Sequence, residues 1–308
     1  NMATDVSVSD VGVDVDDVEV ISSFVCQPLV SGSGRADFDG DGRTDVSVFR
    51  PSEGNWYLNQ STDGFSVLNW GLSGDTLVPG DYDGDGKADT AVFRPSDNPG
   101  ETDWWILNSD GFTLQGAEWG STGDVPVVGD YDGDGKDDIA LFRDSDATWY
   151  IINSDGSGAT ITQFGAMGDL PAPGDYDGDG KTDPTTFNAG TWNSTLSGGG
   201  TEMQTMGLAG DVLVPGDYDG DGQTDQATWR DGTGSWYIWL SAADGPHIVP
   251  FGASGDIPTP GDYDGDGKDD LAVFRTGDWW VHSSQSGSTA VTNFGLSSDT
   301  PVPTRANP

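Results

Sequence analysis

Hydrophobic residues along this chain come in short runs rather than in long stripes. From Gly123 onward the order is GDVPVVGD, DYDGDGKDD, IALFR, TWYIINS and ITQFG: four branched or aromatic runs set apart by Gly, Pro, Asp and Ser. Runs of this kind, bounded by turn formers, predict four short β-strands. The pattern then repeats. The string D-[FY]-D-G-D-G-x-x-D starts at Asp37, Asp81, Asp130, Asp175, Asp217 and Asp262, at intervals of 44, 49, 45, 42 and 45 residues. Four strands in each unit of roughly 40–50 residues are the signature of a β-propeller. An all-β ring of four-stranded blades is therefore expected, with six loop-bearing repeats.

The third run of each unit supports blades over a sandwich. Trp56, Trp104, Trp149, Trp192, Trp236 and Trp279 align, and their next neighbours Tyr57, Trp105, Tyr150, Asn193, Tyr237 and Trp280 are aromatic in five of the six. Adjacent residues of a strand point to opposite faces, so both faces are expected to be buried, as they are between stacked blades. Each unit closes on [FWM]-G: Trp70-Gly71, Trp119-Gly120, Phe164-Gly165, Met206-Gly207, Phe251-Gly252 and Phe294-Gly295. With these steps and the Asp loops, residues 37–308 resemble the FG-GAP/VCBS repeat family, which includes the integrin α-chain propeller. The resemblance implies about seven blades, with calcium in the hairpin between the first two strands of a blade. Unit four departs from the pattern, ending its second strand with Phe187-Asn188 where the others carry Arg.

The loops carry a metal reading of their own. Each offers carboxylates at positions one, three, five and nine and a backbone carbonyl at seven, close to the spacing of an EF-hand, with Gly at six for the turn. In order these are Asp37, Asp39, Asp41, Arg43 and Asp45; then Asp81, Asp83, Asp85, Lys87 and Asp89; then Asp130, Asp132, Asp134, Lys136 and Asp138. The remaining three are Asp175, Asp177, Asp179, Lys181 and Asp183; Asp217, Asp219, Asp221, Gln223 and Asp225; and Asp262, Asp264, Asp266, Lys268 and Asp270. The Glu at position twelve and the flanking helices of an EF-hand are missing. Four carboxylates this close repel one another without a cation. Calcium, at about six sites, is favoured over magnesium, which demands stricter octahedral geometry.

Composition sharpens this picture. Of 52 acidic residues 47 are Asp, against 12 basic residues, for a net charge of −40. Six divalent ions would bring that to roughly −28. The acidity disfavours nucleic acid and anionic membranes as partners, and 12 Trp, 12 Phe and 8 Tyr supply the bulk that disordered acidic tails lack. Cys26 is the lone cysteine, so no disulfide forms within the chain; His247 and His282 are too few for a zinc site. No stretch is apolar enough for a membrane span, and the sequence opens without a signal peptide, which for a secreted protein is the mature form.

Charges outside the loops repeat as well. Arg50, Arg94, Arg143, Arg230 and Arg275 end the second strands, while Asp75, Asp124, Asp169, Asp211, Asp256 and Asp299 follow the [FWM]-G step. Structural ion pairs, repeated blade by blade, are expected of them.

The ends do not match the repeats. Ser298–Pro303 copies the first strand of a further unit, and Thr4–Val8 copies the start of a second strand. Residues 1–36 are therefore read as an N-terminal strand segment and 37–308 as the propeller. Residues 1–30 would either supply strands two to four of a seventh, composite blade, or pair with an edge of a neighbouring molecule and build a homopolymeric fibre.

The functional expectation is a non-catalytic, extracellular structural or adhesion module, secreted or at the cell surface, where calcium is millimolar. A glycan-binding module is the alternative, with Trp105, Tyr237, Trp239 and Trp280 as candidate platforms. A glycoside hydrolase or polysaccharide lyase is the third reading. Nearly every Asp is already committed to a repeated position, and the irregularities are few: the insertion 95–103, the stretch 197–206 and the two histidines.

Overall fold

The computed structural model describes residues 36–302 apart from 112, 243 and 244. Six antiparallel sheets of four strands form the blades of a β-propeller. The first blade contains β1 (Val46–Arg50), β2 (Asn55–Gln60) and β3 (Gly64–Asn69); the second β4 (Thr76–Leu77), β5 (Thr90–Phe93), β6 (Trp104–Leu107) and β7 (Leu114–Ala117). The third has β8 (Val125–Pro126), β9 (Ile139–Arg143), β10 (Thr148–Asn153) and β11 (Gly158–Gln163); the fourth β12 (Leu170–Pro171), β13 (Thr185–Asn188), β14 (Thr191–Thr195) and β15 (Thr201–Thr205). The fifth has β16 (Val212–Leu213), β17 (Gln226–Arg230), β18 (Ser235–Trp239) and β19 (Pro246–Pro250). The sixth has β20 (Ile257–Pro258), β21 (Leu271–Arg275), β22 (Asp278–His282) and β23 (Thr289–Asn293), and β24 (Thr300–Pro301) follows it.

The C-terminal strand closes the ring. β24 pairs with β1 through Val48↔Pro301 and Phe49↔Thr300, the same register in which β4 pairs with β5 through Leu77↔Val92 and Thr76↔Phe93. The Val302 amide then bonds the Ser47 carbonyl at 2.9 Å, as Val78 bonds Ala91. The copied first strand thus completes blade one instead of opening a seventh blade, and the expected ring of seven is corrected to six among the described residues. The physical reason is that Val46–Asn69 already supplies strands two to four, so one edge is all the closure needs. The pairing proposed for residues 1–30 lies outside the described residues.

The aligned Trp of the third strands are all fully buried. Each indole N–H donates to the carbonyl of the [FWM] residue that ends its blade, at 2.7 to 3.2 Å. A large apolar ring is thereby buried with its polar atom satisfied. Phe49, Phe93, Phe142, Phe187 and Phe274 pack on these indoles with centroids 5.1 to 5.8 Å apart. The neighbouring aromatic column does not follow the expectation of burial. Tyr57, Tyr150, Tyr237 and Trp280 are half-buried and Trp105 is exposed.

Candidate metal sites on one face of the ring

In blades two to six each Asp loop joins the first strand to the second, as the resemblance implied, and in blade one, whose first strand is β24, the loop leads into the second strand β1. The Tyr at position two anchors it. In loops two to six its hydroxyl donates to the carbonyl four residues earlier, at 2.6 to 2.8 Å. In the first loop Phe38 only packs on Trp56. The carboxylate at position one folds the loop around itself. Asp37 accepts the backbone N–H groups of Gly40 (2.7 Å), Asp41 (3.2 Å) and Gly42 (2.8 Å). The chain can present three amides to one side chain because positions four and six are left-handed, with φ 75° at Gly40 and 88° at Gly42.

Position nine is the buried end of the site. Asp45 is 1% exposed; one of its oxygens accepts the Phe38 amide at 2.8 Å and the other the Ser61 amide at 2.7 Å. Burial pushes the carboxyls of Asp45, Asp89 and Asp225 up to about 7, and those of Asp138, Asp183 and Asp270 to about 6, against the pull of the amide bonds. The carboxylates at positions one and three add to the rise at Asp45 and Asp89.

Oxygen atoms of Asp37, Asp39 and Asp45 lie within 4.8 Å of one another. The same holds for Asp130, Asp132 and Asp138; for Asp175, Asp177 and Asp183; and for Asp217, Asp219 and Asp225. In the second loop the group is Asp81, Asp83 and Asp85, and one further group makes six. Hard oxygen donors converging on one point, at the cost of proton affinities raised by burial and mutual repulsion, fit a calcium ion. Positions one, three and nine would hold it, with position five beside them.

A column of serines completes the loops, and the expectation from sequence missed it. Ser61, Ser109, Ser154, Ser197, Ser241 and Ser284 each donate their amide to the position-nine carboxylate at 2.6 to 2.7 Å. Their hydroxyls donate to the position-five Asp at 2.5 to 3.0 Å. The signal was present: every one of these serines stands five residues after the aligned Trp. The turn from strand three to strand four therefore grips the loop from above.

The six loops also grip one another. The N–H at position eight bonds the position-one carbonyl of the preceding loop: Thr44 to Asp262, Ala88 to Asp37, Asp137 to Asp81, Thr182 to Asp130, Thr224 to Asp175 and Asp269 to Asp217, all at 2.6 to 2.8 Å. The cycle is closed. Side chains at position seven (Arg43, Lys87, Lys136, Lys181, Gln223, Lys268) lie against the position-four glycine of the preceding loop, where a Cβ would come within about 3 Å of them. Lys181 also donates to the carbonyl of Asp132 at 2.7 Å.

The second strand separates this face from another ring of charge. At its far end Arg50, Arg94, Arg143, Arg230 and Arg275 make two-pronged bonds of 2.5 to 2.8 Å to Asp299, Asp75, Asp124, Asp211 and Asp256. These are the ion pairs expected from the repeat. Each guanidinium also lies over the half-open aromatic column, 4.2 to 5.8 Å from the ring centre of Tyr57, Trp105, Tyr150, Tyr237 or Trp280. Three of the candidate sugar platforms are therefore roofed by an arginine. The fourth, Trp239, packs half-buried beside the core of blade four. In that blade Asn188 replaces the arginine and donates to Asp169 at 2.6 Å, and Asn193 replaces the aromatic.

On the arginine face a cleft of about 490 Å³ opens between blades two and three. The insertion 95–103 walls it. Asn98, Glu118, Trp119, Arg143, Tyr150 and Ile161 are among its lining, and Trp119 meets Tyr150 edge to face with centroids 6.3 Å apart. The two histidines do not gather there. His247 lies on β19, and His282 on β22 holds Thr289 and tilts against Phe251.

A ring of six four-stranded blades, with an acidic loop of calcium-ligand type leading into the second strand of each, defines an FG-GAP-type propeller. The FG-GAP-like repeat model matches residues 37–92, 81–141, 130–183 and 217–273, and the chain belongs to that family. No curated protein matches the sequence. Among solved structures, the chain is similar to an Agrocybe aegerita lectin described as recognising non-reducing terminal N-acetylglucosamine. That match has 18% identity and TM-score 0.52, over 88% of this chain and 80% of that one. It is also similar to a streptogramin B lyase (7% identity, TM-score 0.52, 82% and 84% covered) and to BBS1N in complex with ARL6DN (12%, 0.50, 91% and 96%). At these identities the likeness is one of fold.

Proposed function

We propose that this chain is a non-catalytic extracellular module, a propeller stiffened by calcium that serves as a structural or adhesive unit. The observation that carries the reading is the closed cycle of six oxygen-rich loops, each joined to the next through its backbone. Such an arrangement commits the acidic side chains of one whole face to cation binding and shape. Loops of this kind suit the millimolar calcium found outside cells. Calcium counting by equilibrium dialysis, paired with thermal melts, tests the reading. About six ions per chain and a large calcium-dependent rise in melting temperature are expected. Absence of both would sink it.

A glycan-binding role is favoured by one specific feature, the cleft between blades two and three. Sugars offer an apolar ring face to an aromatic wall and hydroxyls to carboxylate and amide groups. Trp119 supplies the first here, with Tyr150 packed edge to face against it beneath Arg143, and Glu118 and Asn98 supply the second. Binding on a glycan array that is lost in Tyr150→Ala would support this role, and unchanged binding would exclude the cleft. Fibre formation rests on residues 1–30: the described ring is closed without them, so donation would have to add to an outer strand of a neighbour. Light scattering in calcium, with and without residues 1–30, decides it.

A further inference from the structure

We propose that the six loops take up calcium cooperatively, because the ring of hydrogen bonds makes each loop part of its neighbours' sites. The inference rests on the calcium reading above and concerns this chain's own backbone. Positions seven and eight of a loop share one planar peptide unit, so fixing its carbonyl also fixes its N–H. That N–H is bonded to the position-one carbonyl of the preceding loop, and the same residue's carboxylate is the hub that gathers the loop's amides. Ordering a loop around its donors therefore orders the hub residue of the loop before it. The linkage runs through all six loops and returns to the first, so no loop is terminal.

The packing carries the same message. The position-seven side chain rests on the position-four glycine of the preceding loop in every case. Just before the loops, Gly129, Gly174, Gly216 and Gly261 face Thr182, Thr224, Asp269 and Thr44 of the next loop so closely that a Cβ would approach within 2.2 to 2.6 Å for three of them and 2.7 Å for Gly174. Where the first unit carries Ala36 instead of Gly, the next loop carries Ala88 instead of Thr or Asp, and the two share one core cluster. Seams matched in size transmit displacement instead of absorbing it.

Two effects set the sign. In an empty ring the mutual repulsion of carboxylates loosens every loop, and filling one loop restores the shape its neighbours need, so ordering is partly done before the next ion arrives. A filled loop also lowers the negative potential at its neighbours, which acts in the opposite direction. At physiological salt that second effect is screened over roughly 8 Å, whereas the hydrogen bonds act by contact. Coupling by linkage is reciprocal, so weakening one loop must weaken those beside it.

The test is calcium titration of the full chain in 0.15 M salt, by calorimetry and by near-ultraviolet circular dichroism of the buried indoles. The wild type is expected to bind with a Hill coefficient above one. Asp132→Asn keeps an oxygen but removes the charge of one donor in loop three. It is expected to raise the calcium midpoint of the remaining sites about fivefold and to flatten the curve. A second variant guards against simple misfolding: Lys181→Gln keeps every carboxylate, takes the residue that loop five carries naturally at Gln223, and removes the bond from Lys181 to Asp132. It should bind the full complement with a shallower slope. Independent binding in the wild type, with Asp132→Asn losing one site and leaving the rest unmoved, would overturn the coupling while leaving the calcium reading intact. No binding of calcium at all would overturn both.

Discussion

The two faces of this ring use aspartate in opposite ways. On the clamp face five of the six aspartates meet an arginine from their own blade: Asp124 has its side chain 2% exposed and is held by Arg143 at 2.7 Å. On the loop face three or four carboxylates converge, and the cations of position seven lie against a neighbouring loop's glycine. Ten of the chain's 12 basic residues serve these two rings, five on each, and the other two, Arg35 and Arg305, lie outside the described residues. The comparison shows that acidity alone says little about metal. Five of the six clamp aspartates have a cation from within the chain, whereas the carboxylates of each loop converge with an excess of negative charge that only an outside cation can balance.

Calcium removal should separate the faces most strongly. Ligand that binds only the folded state stabilises it by about 2.7 kcal/mol per site at a hundredfold excess over Kd. Melting in excess chelator is therefore expected to fall by at least about 10 °C, and a melt unchanged by chelator would contradict the contrast. Breaking one clamp should cost less and should not depend on calcium. Arg143→Ala leaves Asp124 buried without its cation, for a loss of about 2–3 kcal/mol, equal in calcium and in chelator. Urea unfolding under both conditions checks this, and a loss confined to calcium would show the faces to be one system.

Acidity gives a third, smaller contrast of opposite sign. The position-nine carboxyls are raised to about 6–7 in the folded chain, above their unfolded range near 4, so the metal-free fold binds more protons than the unfolded chain between about pH 4 and 7. Their contribution to stability is fully present below that window and is lost as pH rises through 6–7. In chelator the melting temperature should therefore climb as pH drops from 8 to 5, while in calcium it should decline as protons displace the ion. Parallel pH curves in the two conditions would count against the loop face as a cation site.

Blade four sharpens the comparison from within. It has lost the arginine and the aromatic together, at Asn188 and Asn193, while its loop is complete. Losing either partner alone would leave the other without its contact, since each arginine elsewhere lies over that aromatic. The paired variant Asn188→Arg, Asn193→Tyr should stabilise the chain by under about 1 kcal/mol, and more than the sum of its single variants. A double-mutant cycle measures the difference, and additivity would deny the clamp its cooperative character.

Much of this was legible in the residues themselves. The repeat of Asp, Gly and Trp fixed the blade, the strand order and the loop donors, because a four-stranded blade cannot form without turns at those positions and a filled core beneath them. The Arg and Asp columns declared their pairing by recurring together. The serine column was equally visible, five residues after each Trp, but hydroxyl residues in turns are common enough to hide a contact made across the blade. Blade number was not legible. The C-terminal copy of a first strand is compatible with opening a seventh blade or completing the first, and only the pairing of Thr300–Pro301 with Val48 and Phe49 decides, since closure depends on the sum of blade twists around the ring. The half-open aromatics, the cleft beside residues 95–103 and the bond from each loop to the next were likewise decided by tertiary structure. They join residues of different repeats, and a repeat taken singly carries no record of how its neighbour is rotated against it.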